Sequence, residues 1–147
     1  MRRRVLGLVT ALALGAGMLG CAKIGSFMRP LTYGPNFDYI TKEQLKSVMW
    51  QLARDVNRID ALVNDPAGVG PAQRDEIARL LVIMEDATGR LGREGIRTNH
   101  PLVDEHRDQF RADLAAARRG VSAEPPSYTL TREVSGACLH CHRHGTR

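Results

Sequence analysis

The sequence predicts an all-α fold, specifically an antiparallel up-down-up-down four-helix bundle. Four stretches carry apolar residues at helical spacing, and the connections between them are mostly short and contain glycine or proline. No stretch alternates polar and apolar residues for long enough to predict a sheet. The length of 147 residues allows one domain together with a segment that is removed during maturation.

The first predicted helix begins near Thr41. The run Thr41-Lys42-Glu43-Gln44 fits a capping box, in which the two end side chains bind free backbone N–H groups. Asn64, Asp65 and Pro66 then end the helix. Its apolar face has helical spacing and consists of Leu45, Val48, Met49, Leu52, Val56, Ile59, Leu62 and Val63.

The second predicted helix begins at Pro71, because proline suits the first position of a helix. Three glycines, at positions 89, 92 and 95, weaken the helical pattern and are expected to end it. Met84 lies in the middle of the apolar stripe and is expected in the core. The complete stripe is Ile77, Leu80, Leu81, Met84, Ala87 and Leu91.

The third predicted helix begins at Pro101, and Gly120 is expected to stop it. Residues 121–127 are expected to form a loop. The fourth helix begins near Leu130 and continues through Val134 and Ala137 towards the C-terminus. The inward stripe of the third helix is Val103, His106, Phe110, Leu114 and Ala117.

The N-terminal residues 1–20 have the pattern of a signal peptide. Arg2–Arg4 form a positive region, and Val5–Leu19 form an apolar region. As a helix, this apolar region measures about 22 Å, which is shorter than the roughly 30 Å hydrocarbon core of a bilayer. Without residues 1–20, which contain three of the 21 basic residues and no acidic ones, the charge is 18 − 16 = +2. So small a charge argues against nucleic-acid binding.

The leader ends in Met18-Leu19-Gly20-Cys21, which resembles a bacterial lipobox. Cleavage before Cys21 and lipidation of that cysteine would anchor the mature protein to a membrane, because several acyl chains give stable attachment. An ordinary signal peptide that happens to end near a cysteine is the alternative. Position 22 is Ala22 rather than aspartate, which favours the outer membrane. Residues 21–40 are then the lipidated N-terminus and a tether, and residues 41–147 form the four-helix domain.

The most specific motif is Cys138-Leu139-His140-Cys141-His142, a C-x-x-C-H signature. This motif attaches a c-type haem. On a helix the two cysteines and His142 face one side, so we expect Cys138 and Cys141 to form thioethers with the porphyrin and His142 to be an axial ligand of the iron.

Zinc, a redox dithiol and a plain disulfide are alternative interpretations of this motif. His140 and His144 lie beside it as possible nitrogen donors, but a structural zinc site usually takes a second pair of ligands from a distant segment. A redox dithiol needs a βαβ context, and no strand pattern precedes the motif. Covalent attachment of haem in bacteria takes place outside the cytoplasm, so the predicted leader agrees with the haem interpretation.

The opposite face of the iron has three possible states. In an antiparallel bundle, His142 is expected about 8 Å from the C-terminal end of the chain, because it lies five residues before it, and Met49 is expected about 12 Å along the facing first helix. Met49 is therefore a candidate sixth ligand, although methionine also fills gaps in protein cores. His106 is a rival, and an open site is the third state. His100, His140 and His144 are expected at the surface.

From about residue 38 to residue 147, the chain resembles the cytochrome c′ family, the class II c-type cytochromes. The resemblance consists of four helices with a single C-x-x-C-H motif in the last one, and of Asn57-Arg58-Ile59 where a Gly-Arg-Met run is common. It implies that Met49 occupies the distal position. Members with methionine there are six-coordinate electron carriers, whereas members with an apolar residue bind NO or CO.

These observations predict a monohaem c-type cytochrome on the periplasmic side of a bacterial membrane. It would carry single electrons between periplasmic or membrane redox proteins, with haem c as its cofactor, and it would be able to form a homodimer. The alternatives are a five-coordinate gas-binding protein and a small haem subunit of a larger redox complex. Enzymatic turnover is not expected, because no acid–base constellation accompanies the motif.

Overall fold

A computed structural model describes residues 34–142 of the chain. Four helices, α1 (Lys42–Val63), α2 (Pro71–Gly89), α3 (Pro101–Ser122) and α4 (Thr129–His142), make it 70% helical. Two short strands, β1 (Phe37–Asp38) and β2 (Arg97–Thr98), form a two-stranded sheet. The predicted all-α class is therefore confirmed. Residues 1–33 and 143–147, which include the predicted leader, Cys21 and His144, lie outside the described residues.

Helix α1 begins as the sequence predicts. The backbone N–H of Gln44 donates to the Thr41 hydroxyl over 3.1 Å, and the backbone N–H of Thr41 donates to the Gln44 side chain over 2.9 Å. These two bonds satisfy donors that have no partner within the helix, because the first turn of a helix lacks preceding carbonyls. The capping box is confirmed, and it fixes the start of the helix that carries Met49.

Two side-chain contacts link helix α1 to helix α2 and the residue that follows it. Arg58, in the second half of α1, forms an ion pair of 2.8 Å with Glu76, in the first half of α2. Gln51, in the first half of α1, accepts a hydrogen bond from Arg90, which directly follows α2. The early part of each helix is thus linked to the late part of the other.

Helix α3 is longer than predicted, because Gly120 does not end it. The helix continues to Ser122, and Val121, which was expected in a loop, is fully buried. Gly120 is instead a point of close approach, since a Cβ atom there would lie 3.0 Å from the carbonyl oxygen of Ser127. The Ser127 N–H also donates to the Gly120 carbonyl over 2.9 Å, so the chain folds back directly onto the helix.

The compact unit that contains the helices begins at Asp38, within the segment predicted as a tether. Ile40 is only 4% exposed. Its backbone N–H donates to the Asn99 side chain over 2.7 Å, and its carbonyl accepts from Asn99 over 2.9 Å and contacts the His100 ring over 3.1 Å. His100 is therefore half-buried, and the prediction that it lies at the surface is wrong.

The core lies between the four helices. Each helix contacts the next one in the chain, and α1 also contacts α4. Arg132, near the start of α4, donates to the carbonyl of Val63, the last residue of α1, over 3.2 Å. Met84 is fully buried, as predicted. Within residues 34–142, none of the helices has the length and apolar character needed to cross a membrane.

Candidate functional site

A cavity of about 170 Å³ lies among residues of all four helices. Most of its wall is apolar, which suits a largely apolar ligand more than a solvated ion. Its polar groups come mainly from α3 and α4. The lining residues are Met49, Leu52 and Ala53 of α1, Thr88 of α2 with Leu91 after it, Val103, His106, Arg107, Gln109, Phe110 and Asp113 of α3, and Ala137, Cys138, Cys141 and His142 of α4.

The residues of the C-x-x-C-H motif lie together on this cavity. The motif is helical through His142, so Cys141 and His142 lie about one helical turn after Cys138, and all three line the cavity. Both cysteines are free thiols and are partly buried. The Cys141 thiol lies 3.8 Å from the carbonyl of Leu102, which brings the end of α4 to the start of α3.

Burial raises the pKa of both thiols above the ordinary value. For Cys141, the neighbouring Cys138 adds a further increase, because two adjacent groups resist carrying the same charge. At neutral pH the structure therefore keeps both sulfurs as uncharged thiols. A neutral thiol is a poor metal ligand and a slow nucleophile compared with a thiolate.

Two candidate ligands for the opposite face of an iron also line the cavity. Met49 comes from α1, is half-buried, and packs against the core. His106 comes from α3; its side chain is 26% exposed and lies 3.8 Å from the carboxylate of Glu105. The structure thus brings both Met49 and His106 to the cavity of the motif. Cys21 lies outside the described residues.

Arg107 is a buried cavity residue that the sequence pattern did not predict. His106 was the expected inward residue of this turn, but the Arg107 side chain is only 2% exposed. Arg107 donates to the carboxylate of Asp108 over 2.9 Å and to the carbonyl of Leu91 over 3.2 Å. The spacing admits Arg107 as well as His106, because Val103, Arg107, Phe110, Leu114, Ala117 and Val121 also follow one another at intervals of four and three residues.

Gly92 makes room for this arginine. Its φ angle is +104°, and a Cβ atom at this position would lie 2.7 Å from Nη1 of Arg107 and 2.8 Å from the Thr98 methyl group. Only glycine fits both the left-handed backbone and the close approach. The glycine predicted merely to end α2 therefore allows the close approach of the buried Arg107.

The chemistry of the donor groups and of the apolar lining suits a haem. Two cysteine thiols, a histidine and a methionine are the groups by which c-type haem is attached and ligated. Leu52, Val103 and Phe110 provide apolar surface beside them. Among the residues that the structure describes, no three His, Cys, Asp or Glu side chains are grouped so that they could hold a metal ion by themselves.

In comparisons with known proteins, no family model, no curated protein and no solved structure matched this chain.

Proposed function

We propose that this protein is a monohaem c-type cytochrome of the cytochrome c′ type that carries single electrons. The observation that supports this most is that Cys138, Cys141, His142 and Met49 line one cavity, although Met49 is far from the motif in the sequence. Core packing alone does not require a methionine of α1 to line the same cavity as an attachment motif in α4. The haem iron, when bound, supplies reversible one-electron chemistry.

The proposal includes an antiparallel up-down-up-down bundle around the haem. Links between early and late parts of neighbouring helices support it, as in Arg58–Glu76 for α1 and α2 and in Arg132–Val63 for α4 and α1. Arg74, early in α2, donates to the Val121 carbonyl at the end of α3. In such a bundle the end of α4 faces the start of α1, as joint ligation by His142 and Met49 requires.

Each motif residue has a distinct role in the proposal. Cys138 and Cys141 hold the porphyrin through thioethers, so the cofactor stays in place in either redox state. His142 would provide an imidazole ligand to the iron. Met49 would provide a second, thioether ligand, which would exclude small external ligands and favour electron transfer over gas binding.

The location of the protein is part of the same proposal. A chain exported by the leader of residues 1–20 and lipidated at Cys21 would remain on the periplasmic side of the membrane, with the outer membrane favoured. Its partners would be periplasmic or membrane redox proteins. This part is supported by the sequence pattern, and by its agreement with the cellular site of covalent haem attachment.

Optical spectra of the purified protein test the proposal. Full-length protein from a host that matures c-type cytochromes should be coloured and should keep its haem on a denaturing gel. Replacement of both Cys138 and Cys141 by alanine should abolish that covalent retention. A colourless wild-type protein with two free thiols in the motif would contradict the proposal as a whole.

The sixth ligand is tested by a matched pair of methionine variants. Met49→Leu preserves volume but removes the thioether, so the methionine–iron charge-transfer absorption should disappear. Met84→Leu makes the same change at a fully buried position that does not line the cavity, so the absorption should persist. If wild-type protein lacks this absorption, Met49 is not the ligand.

Carbon monoxide separates the carrier from the gas-binding alternative. Ferrous wild-type protein should bind CO slowly or not at all, and Met49→Leu should bind it rapidly. Rapid, tight binding by wild type would favour an open site. If the wild-type protein showed a low-spin spectrum typical of two histidine ligands, and His106→Leu lost it but Met49→Leu did not, His106 would be the sixth ligand instead.

A further inference from the structure

We propose that Arg107 binds a propionate group of the haem. This inference rests on the proposed function, since it concerns the same cavity. Haem is largely apolar but carries two propionate carboxylates, and a carboxylate in an apolar cavity needs a charged or hydrogen-bonding partner. Among the cavity-lining residues that the structure describes, Arg107 is the one arginine or lysine.

Burial of the arginine is the first argument. A guanidinium remains charged in proteins, and transfer of such a charge from water into the interior is costly unless it is well paired. The Arg107 side chain is 2% exposed, whereas its carboxylate partner Asp108 is 43% exposed and therefore largely solvated. The positive charge of this ion pair is therefore buried, whereas its negative charge is partly exposed to water.

Unused hydrogen-bonding capacity is the second argument. A guanidinium has five N–H donors. Within residues 34–142, Nε donates to Asp108 over 2.9 Å, Nη1 to the Leu91 carbonyl over 3.2 Å, and Nη2 to Asp108 over 3.5 Å. Two N–H groups of a buried side chain that lines the cavity thus remain available for a further acceptor.

Position along α3 is the third argument. The Cys141 thiol, which is proposed to hold the vinyl side of the porphyrin, lies 3.8 Å from the Leu102 carbonyl. Arg107 follows Leu102 by five residues, or about 7.5 Å along the helix. The propionates of a haem lie on the side of the ring away from the vinyl groups, so a cation is needed at a distance from the attachment cysteines.

The rival explanation is that Arg107 serves only to hold the turn at Leu91 and Gly92. This role would use the same contacts and would leave haem chemistry unchanged. The two explanations differ in one respect: only the propionate contact depends on the charge of the cofactor. A probe that removes the carboxylate charges from the haem therefore distinguishes them.

The first experiment uses the mature holoprotein. Arg107→Gln should lower the reduction potential, because a cation near the iron favours the reduced state, and it should shift the propionate bending band in the resonance Raman spectrum. Arg111→Gln makes the same change one turn further along α3, outside the cavity lining, and should do neither. Asp108→Asn removes the known partner of Arg107 but keeps the guanidinium, so the Raman band should stay in place.

The second experiment uses the full chain with Cys138→Ala and Cys141→Ala, which would bind haem without covalent bonds. Its affinity for iron protoporphyrin IX and for the dimethyl ester of that haem is measured with and without Arg107→Gln. We expect Arg107→Gln to weaken binding of the free-acid haem roughly 10- to 100-fold, the usual effect of a hydrogen bond to a charged group, and to leave ester binding unchanged. Equal weakening for both haems would overturn the inference.

Failure of the inference and failure of the proposed function give different results. If wild-type protein retains covalent haem but Arg107→Gln behaves like Arg111→Gln, only the inference fails. If wild-type protein carries no haem, the proposed function fails and the inference fails with it. Should Arg107→Gln not fold, Arg107→Lys keeps the buried charge but loses the planar fork, and it should still weaken the preference for the free-acid haem over its ester.

Discussion

Two buried threonines should respond in opposite directions to the same substitution. Thr88 in α2 and Thr131 in α4 are both fully buried. The Thr88 hydroxyl donates to the Met84 carbonyl over 2.7 Å, whereas the Thr131 hydroxyl has no hydrogen-bond partner among the described residues. Valine has nearly the shape of threonine, so Thr→Val at each site replaces the hydroxyl by a methyl group and preserves the packing.

The magnitudes follow from this difference. Thr88→Val loses one hydrogen bond and should lower the free energy of unfolding by about 0.5–1.5 kcal/mol; the loss is moderate because the carbonyl of Met84 lies within a helix and keeps its backbone bond. A buried hydroxyl without a partner lowers the free energy of unfolding by about 1–3 kcal/mol, and Thr131→Val removes this penalty. Because the surrounding residues relax in part, we expect the free energy of unfolding to rise by up to about 1 kcal/mol.

Urea unfolding followed by far-ultraviolet circular dichroism measures both changes. Each variant should be compared with wild type at equal haem content, with the m-value unchanged. For a domain of this size, 1 kcal/mol corresponds to a shift in Tm of roughly 4–8 °C, which is easily measured. A clear loss of stability in Thr131→Val would refute the reasoning, because it would mean that the hydroxyl has a partner such as a buried water.

Three further predictions concern the frame around the site. Hydrogen bonds from the side chain and backbone of Arg93 hold the pKa of Asp38 below its usual value. The ionised carboxylate therefore stabilises the fold above the pKa that Asp38 has in the unfolded chain, and this contribution is lost as the pH falls through the lowered pKa of the folded state. Asp38→Asn should reduce the free energy of unfolding at pH 7, and in an acid titration of Tm the difference from wild type should disappear in strong acid. Gly120→Val should lower the free energy of unfolding by about 1–3 kcal/mol, because even the Cβ atom of the new side chain would crowd Ser127. An unchanged midpoint of urea unfolding would contradict the close approach. Leu114→Ala, at a fully buried position, should lower the free energy of unfolding by about 2–5 kcal/mol in the same assay, and a smaller loss would mean that Leu114 is not part of the core.

The helix starts were predictable because their signals are local. Thr41 and Gln44 are three residues apart, and the bonds between them form within one turn. Pro71 and Pro101 each occupy the first position of a helix, as expected from the missing N–H and the fixed φ angle of proline. Such features do not depend on the rest of the chain, so the sequence was sufficient for them.

The end of α3 and the role of Gly120 were not predictable in the same way. Glycine often ends a helix, and the local pattern favoured that interpretation. The glycine is needed instead because Ser127 folds back against it, which is a contact between the helix and the chain after it. His100 is similar, since its burial depends on Ile40, which lies sixty residues earlier in the chain.

The sequence alone determined the helical class, the starts of the helices and the C-x-x-C-H motif, because capping, periodicity and attachment spacing are all set within a few residues. The tertiary structure decided which distant side chains meet that motif: it brings Met49 and His106 to the same cavity and buries Arg107 in its wall. Helical periodicity does not settle whether position 106 or position 107 is the more buried, because the two differ by about 100° around the helix and the adjacent helices select between them.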